Sequence, residues 1–135
     1  MDYKIIDIEG VGDVYAKKLT EAGINKVSEL LDKCAAPKGR KELAKATDIP
    51  EKLILRWTNH ADLFRIKGVG PQFSELLEAA GVDTVKELRN RKAENLHKAL
   101  EETNAKKKLT RVVPPLKTVE KMIAGAKALP PKMTY

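Results

Sequence analysis

Two glycine-flanked segments, Gly10-Val11-Gly12 and Gly68-Val69-Gly70, are the parts of this chain best suited to binding chemistry. Glycine adopts positive φ readily and has no side chain to block a ligand, so a glycine turn can present backbone N–H groups outward while the valine points into the core. A helix that begins directly after such a turn adds the positive end of its dipole. Phosphate is the ligand that fits a site of this kind.

The two segments belong to a longer internal duplication. Residues 8–30 and 66–88 are identical at ten of 23 positions, at an offset of 58 residues. This similarity indicates that the chain is built from a duplicated unit. In each copy apolar residues recur at i, i+4 and i+8 after the turn, which predicts an amphipathic helix, and Gly23 or Gly81 then ends that helix. The unit is therefore predicted to be turn, helix, turn, helix.

The whole chain is predicted to be all-α, with about nine helices in two tandem repeats, because no strand pattern competes with the helical one. The first repeat covers residues 1–62 with its hairpin at 10–12. The second covers 63–135 with its hairpin at 68–70 and basic C-terminal helices. The predicted helices cover residues 13–22, 26–34, 39–46, 50–64, 71–80, 84–90, 92–101, 105–112 and 117–128.

Two expectations concern the core. The apolar residues among the first eight predict an extended arm laid over it. Trp57 could stack on a nucleic-acid base, but it shares a helical stripe with Leu53 and Ala61, which favours a place in the core. His60 and His97 are expected to be partly exposed and structural.

The repeated turn resembles that of the helix-hairpin-helix family, whose apolar-x-Gly-apolar-Gly hairpin binds the DNA backbone without reading its sequence. The resemblance covers both copies and implies an all-α fold of two tandem helix-hairpin-helix-containing repeats. Residues 62–135 further resemble an uncharacterised bacterial domain-of-unknown-function family of paired hairpins, through Ile66-Lys-Gly-Val-Gly-Pro, Glu94-Asn-Leu-His and Ala126-Lys-Ala-Leu-Pro. That closer resemblance implies no activity. The wider family implies that the phosphate-facing amides are those of Gly10, Val11, Gly12, Gly68, Val69 and Gly70.

The two hairpins differ in charge. The first carries Glu9 and Asp13, which repel phosphate, and Asp13 as a helix N-cap would occupy the same amides that a phosphate would use. The second carries Lys67, with Arg65 close by, and Pro71 suits the first position of the following helix. The second hairpin is therefore the better candidate, and the first is open to a purely structural interpretation.

The net charge of +7 is unevenly distributed. Residues 86–135 contain 13 Lys and Arg against 5 Asp and Glu, whereas residues 1–85 contain 13 against 14. A basic surface attracts nucleic acid through release of counterions from the phosphates. A solvated surface that only keeps the protein soluble is the alternative.

Within this basic region Asn104 is a candidate N-cap for the predicted helix over 105–112. That assignment places three lysines in the first turn, where the helix dipole disfavours them, so either nearby glutamates or a bound anion would offset them. An arginine one turn further on extends the same face. These candidate contacts are Lys106, Lys107, Lys108 and Arg111.

Catalysis has little support in the sequence. There is no convergent carboxylate pair, no nucleophile with a base at useful spacing, and no Gly-x-x-x-x-Gly-Lys phosphate loop. Cys34 is the single cysteine, and with two distant histidines it makes no recognised metal set, so neither a metal nor a cofactor is predicted. The chain has no signal-peptide pattern and no apolar stretch of 18 residues, which predicts a cytoplasmic protein without a membrane partner.

The leading hypothesis is non-catalytic, sequence-independent binding of DNA through hairpin amides and a basic C-terminal surface. The alternative is a protein-protein interaction scaffold in which the hairpins are only corners, and an enzyme is the third hypothesis. DNA, RNA and protein remain open as ligands, as does the oligomeric state. Whether the main-chain donors around Val69 are unpaired beside a cationic surface discriminates between the first two hypotheses.

Overall fold

The computed structural model describes residues 2–135 and, within them, contains eight α-helices and no β-strand. The all-α prediction is therefore confirmed. A 3-10 turn at Ile5–Asp7 precedes the helices. The helices are α1 Gly12–Glu21, α2 Val27–Cys34, α3 Pro37–Thr47, α4 Glu51–Leu63, α5 Pro71–Ala79, α6 Val85–Arg89, α7 Ala93–Lys107 and α8 Leu116–Ala128.

The predicted ninth helix, over residues 105–112, is absent. Helix α7 instead continues to Lys107 and ends at Lys108, whose φ of 51° is left-handed. Asn104 does not cap a helix start, because its side chain makes two hydrogen bonds to the backbone of Thr110. The Asn104 side-chain amide donates to the Thr110 carbonyl, and its side-chain oxygen accepts from the Thr110 N–H, both at 3.0 Å. An asparagine competes for nearby backbone groups in either setting, and here it ties down the loop after the helix.

The chain divides into two compact units. The first comprises the chain up to Asp62 together with Lys132–Tyr135, and the second comprises Leu63–Pro131. The last four residues thus belong to the first unit, whereas the sequence pattern places them in the second repeat. Their backbone and side chains bond to residues of α2, α3 and α4, and Met133 is buried.

In the first unit, the N-terminal arm is bent and not extended throughout. The Ile5 N–H donates to the Asn25 carbonyl at 2.9 Å, and the Val27 N–H donates to the Tyr3 carbonyl at 2.9 Å, so the arm pairs with the start of α2. Trp57 is 1% exposed, and its ring lies 5.3 Å from that of Tyr15. The core position predicted for Trp57 is therefore confirmed.

Cys34, at the end of α2, is fully buried in the first unit. Burial raises the pKa of its thiol to about 11, because the charged thiolate loses its water, and a hydrogen bond with Thr58 offsets part of this effect. A thiol of this kind is protonated and unreactive at neutral pH.

The free energy of unfolding is expected to fall between pH 9 and pH 11 through Cys34. As pH rises, the unfolded chain loses the thiol proton first, because the folded-state pKa is about 11 against 9.0 for an accessible thiol. The contribution is fully present below pH 9, and about 2–3 kcal/mol of it is lost by pH 11. Urea unfolding of wild type and Cys34→Ala at several pH values measures this effect. Equal pH dependence in both proteins would contradict it.

In the second unit, α8 packs on α6 and α7, and α5 packs on α7. Leucines of α5, α6 and α7 are buried, as are Val119, Met122 and Ala126 of α8. Thr84 is the N-cap of α6 and accepts from the Glu87 N–H at 3.2 Å. Among the helices described, none is both long and apolar enough to cross a membrane.

Candidate nucleic-acid interface

Glycine is required in both predicted hairpins by backbone conformation and not by lack of space. Gly10 and Gly68 have φ of 91° and 92°, and a Cβ added at either residue would meet no atom within 4 Å. Their surroundings are therefore open, and the left-handed backbone alone disfavours other residues. The partner glycines differ, because Gly12 has φ of 71° whereas Gly70 is extended at −108°.

The two valine amides are not available to a ligand, contrary to prediction. The Val69 N–H donates to the Ile66 carbonyl at 3.1 Å, and the Val11 N–H donates to the Ile8 carbonyl at 3.2 Å. A four-residue turn whose third residue has positive φ brings the fourth N–H back to the first carbonyl, and Gly68 supplies that third position. The sequence contained this signal, because glycine at the third position of a turn is typical of it.

Four other donors of the second hairpin remain unpaired. In the described part of the chain, no protein group accepts from the N–H groups of Gly68, Gly70, Gln72 or Phe73. Pro71, at the first position of α5, has no N–H to satisfy, as its placement predicted. Gly68 and Gln72 are exposed. The second hairpin thus leaves main-chain donors open at the positive end of a helix.

The first hairpin has less favourable surroundings. Asp13 is not the N-cap of α1, because Val11 occupies that position with helical φ and no side chain caps it. An N-cap role for Asp13, one of the alternatives for the first hairpin, is therefore excluded. Glu9 and Asp13 are both exposed beside the turn, where they oppose an approaching phosphate. Phosphate binding at Gly10 and Gly12 stays a prediction.

Basic residues gather where the second hairpin meets the C-terminal end of α8. The Arg65 guanidinium donates to the Pro130 carbonyl at 2.6 Å, and the Arg89 guanidinium donates to the Lys127 carbonyl at 3.3 Å. Ile66 packs on the same helix, with its Cγ2 3.6 Å from the position of a Cβ on Gly125. Cations at a helix C-terminus are favoured by the dipole, so these arginines also stabilise the fold.

Lys106, Lys107, Lys108 and Arg111 lie at or after the C-terminal end of α7. Helix α7 has 15 residues and so is about 22 Å long. The N-terminal end of α7 shares a groove with residues 120–127 of α8, and the three lysines are at the opposite end of α7. There they lie in or after the last turn, where the dipole favours lysine, so no anion is needed to offset them. Arg111 lies in a bend and not on the α7 face.

The groove between α7 and α8 has a volume of about 580 Å³. Its basic lining comes from Arg91 and Lys92, at the junction of α6 and α7, and from Lys127 of α8. The Arg91 guanidinium is already engaged, because it donates to the Glu87 carboxylate at 3.1 and 3.2 Å and to the Gly81 carbonyl at 3.1 Å. Beyond the overall basic charge of residues 86–135, no sequence pattern indicates this groove.

The histidines give no indication of a metal site. His60 is 1% exposed, so the expectation that it would be partly exposed is wrong, whereas His97 is half-buried with its Nδ1 3.3 Å from the Glu101 carboxylate. The part of the chain that the structure describes contains no group of three or more His, Cys, Asp or Glu residues able to hold a metal ion.

Comparison with known protein families matches residues 9–129 to a family described as Domain of unknown function (DUF4332). The match covers both hairpins. No curated protein and no solved structure matches the chain. The family description implies no activity, and the resemblance to helix-hairpin-helix proteins stays a prediction.

Proposed function

We propose that this chain, which belongs to the DUF4332 family, is a non-catalytic module that binds duplex DNA independently of sequence. In this proposal the two hairpins belong to tandem helix-hairpin-helix repeats, and the second holds the phosphates. The observation that carries it is the set of unpaired N–H groups at Gly68, Gly70, Gln72 and Phe73, beside the exposed Lys67. These donors lie within six consecutive residues at the start of α5.

Main-chain donors of this kind recognise phosphate oxygens and carry no information about the bases. The α5 dipole and the Lys67 ammonium both favour an anion at this place. The second unit as a whole contains 14 Lys and Arg against 8 Asp and Glu, so it attracts a polyanion at a distance. Binding driven in this way weakens steeply as salt concentration rises.

Lys67→Glu is expected to weaken binding of a fluorescent DNA duplex at least about tenfold near 100 mM salt, because it replaces an attraction with a repulsion at the donors. The slope of log affinity against log salt should become shallower by about 0.9 for each phosphate that the variant no longer neutralises. Two duplexes of unrelated sequence should bind equally. The measurement is fluorescence anisotropy over a salt series, with Lys17→Glu, an exposed lysine of α1, as the control of equal charge change.

Three results would overturn this function. They are no binding at low salt, an equal loss of affinity in the Lys67 and Lys17 variants, and an RNA duplex of the same length that binds more tightly than DNA. Equal loss in both variants would mean that only net charge matters, and a preference for RNA would change the ligand.

A protein-interaction scaffold is the second candidate, favoured by the internal hydrogen bonds of Val11 and Val69 and by Val14. The buried valines give the hairpins a structural role, while Val14 on α1 is 72% exposed beside the acidic first hairpin. The same titration separates the two candidates, because a scaffold with structural hairpins predicts no change in the fluorescence anisotropy of DNA at low salt.

A further inference from the structure

We infer that the surface that contacts phosphates, here called the phosphate track, continues from the second hairpin onto Lys92 and Lys127, the groove cations, and does not run along α7 to Lys106. This inference rests on the proposed function and assigns further phosphate-binding residues to it. It concerns residues of the second unit only.

Continuity between the hairpin and the groove follows from two hydrogen bonds. Arg65 beside the hairpin is bonded to the Pro130 carbonyl, and Arg89 is bonded to the Lys127 carbonyl. Residues 127 and 130 are three apart in sequence, so their Cα atoms are separated by at most about 11 Å. A few consecutive phosphates of one strand cover that distance. The hairpin and the groove cations therefore lie within reach of one nucleic-acid strand.

The groove itself brings the two groove cations together from different helices. Lys92 is the N-cap residue of α7 and Lys127 lies in the last turn of α8, and both line the same space of about 580 Å³. Both are exposed, and neither is in an ion pair within the described residues. Arg91, by contrast, is held by Glu87 and Gly81, so its role is to fix the junction between α6 and α7.

Two carboxylates line the same groove and oppose a phosphate there. Glu94 lies in the first turn of α7, where the dipole favours it, so it also serves the helix. Glu120 is exposed in the first half of α8. Removing the charge of this carboxylate therefore tests its repulsion of a phosphate with little effect on folding. The phosphate track therefore predicts that reversing a groove lysine weakens binding and that removing the Glu120 charge strengthens it.

The test measures affinity of the full chain for a fluorescent DNA duplex over a salt series, with circular dichroism melts to verify folding. Lys92→Glu and Lys127→Glu should each weaken binding about five- to tenfold and make the salt slope shallower by about 0.9. Glu120→Gln should tighten binding about two- to threefold. The matched control is Lys106→Glu, at the far end of α7, which should change affinity less than twofold.

The outcomes separate this inference from the proposed function. If Lys67→Glu weakens binding while the Lys92 and Lys127 variants match the control, the hairpin stands and the track through the groove is overturned. A loss of affinity in Lys106→Glu as large as in Lys92→Glu overturns it as well, because binding would then extend along α7. If none of the variants, Lys67→Glu included, alters affinity, the proposed function itself fails.

Discussion

Gly39→Ala is expected to lower the free energy of unfolding of the first unit by at least about 3 kcal/mol. A Cβ at this residue would lie 1.7 Å from the Lys33 carbonyl oxygen and 2.9 Å from its carbon. Both atoms belong to the backbone of α2, so no flexible side chain can move aside. Relief requires α2 and α3 to separate, which opens the core around Leu30 and Leu43.

Gly125→Ala is the matched control, since Gly125 is also inside a helix. Its nearest neighbour is Ile66 Cγ2 at 3.6 Å from the added Cβ, an ordinary contact. Because alanine favours a helix over glycine, this variant should be neutral or more stable by up to about 1 kcal/mol. Urea unfolding followed by circular dichroism measures both variants. Similar midpoints for the two would show that α2 and α3 do not approach as closely as described.

Gly39 also shows a limit of prediction from sequence. Pro37-Lys-Gly favours a break in the helical pattern, with a helix from residue 39, yet α3 begins at Pro37 and Gly39 lies inside it. Proline is in its favoured first position. The glycine serves a close approach to α2, which depends on how two helices pack. No local pattern of residues encodes that packing, so a helix-breaking interpretation is the natural error.

The sequence predicted the ends of helices correctly where a glycine is needed there for its positive φ. Gly23 and Gly81 end their helices with φ of 90° and 96°, and the N–H of the next residue returns to a leucine carbonyl at 2.8 Å in both cases. The helical periodicity that placed Trp57 in the core also held, because burial follows directly from spacing. Asn104 was predicted wrongly, since its side chain bonds equally well at a helix start or in a loop.

The candidate interface was only partly predictable. Sequence identified the exposed Lys67 and the open donors of Gly68 and Gly70, because these follow from turn chemistry. The sequence analysis grouped these donors with Lys106 because residues 86–135 carry the excess of basic residues. Which end of α7, a helix about 22 Å long, shares a groove with α8 depends on the packing of the two helices, and that packing places Lys92 and not Lys106 in the groove.

Arg40→Met is expected to lower the free energy of unfolding of the first unit by about 2–4 kcal/mol. Arg40 is 3% exposed, and its guanidinium donates to the carbonyls of Cys34, Ala35 and Thr134 at 3.0, 3.1 and 2.8 Å. It also lies 5.7 Å from the centroid of the Tyr135 ring. Methionine keeps the apolar stem but leaves the buried Cys34 carbonyl without this donor, whereas the Ala35 carbonyl keeps its bond from the Thr134 N–H at 2.8 Å. The C-terminal residues would then lose the bond from the guanidinium to the Thr134 carbonyl.

Arg40→Lys should fall between methionine and wild type, because a single ammonium cannot reproduce the forked geometry of the guanidinium. Lys132→Ala is the control within the same segment. It removes an ion pair with Asp32 whose partners are 41% and 71% exposed, so its effect should not exceed about 0.5 kcal/mol. Thermal and urea unfolding of the three variants measures the order. A loss of stability for Arg40→Met no larger than that for Lys132→Ala would mean that the buried guanidinium does not hold the C-terminal segment in place.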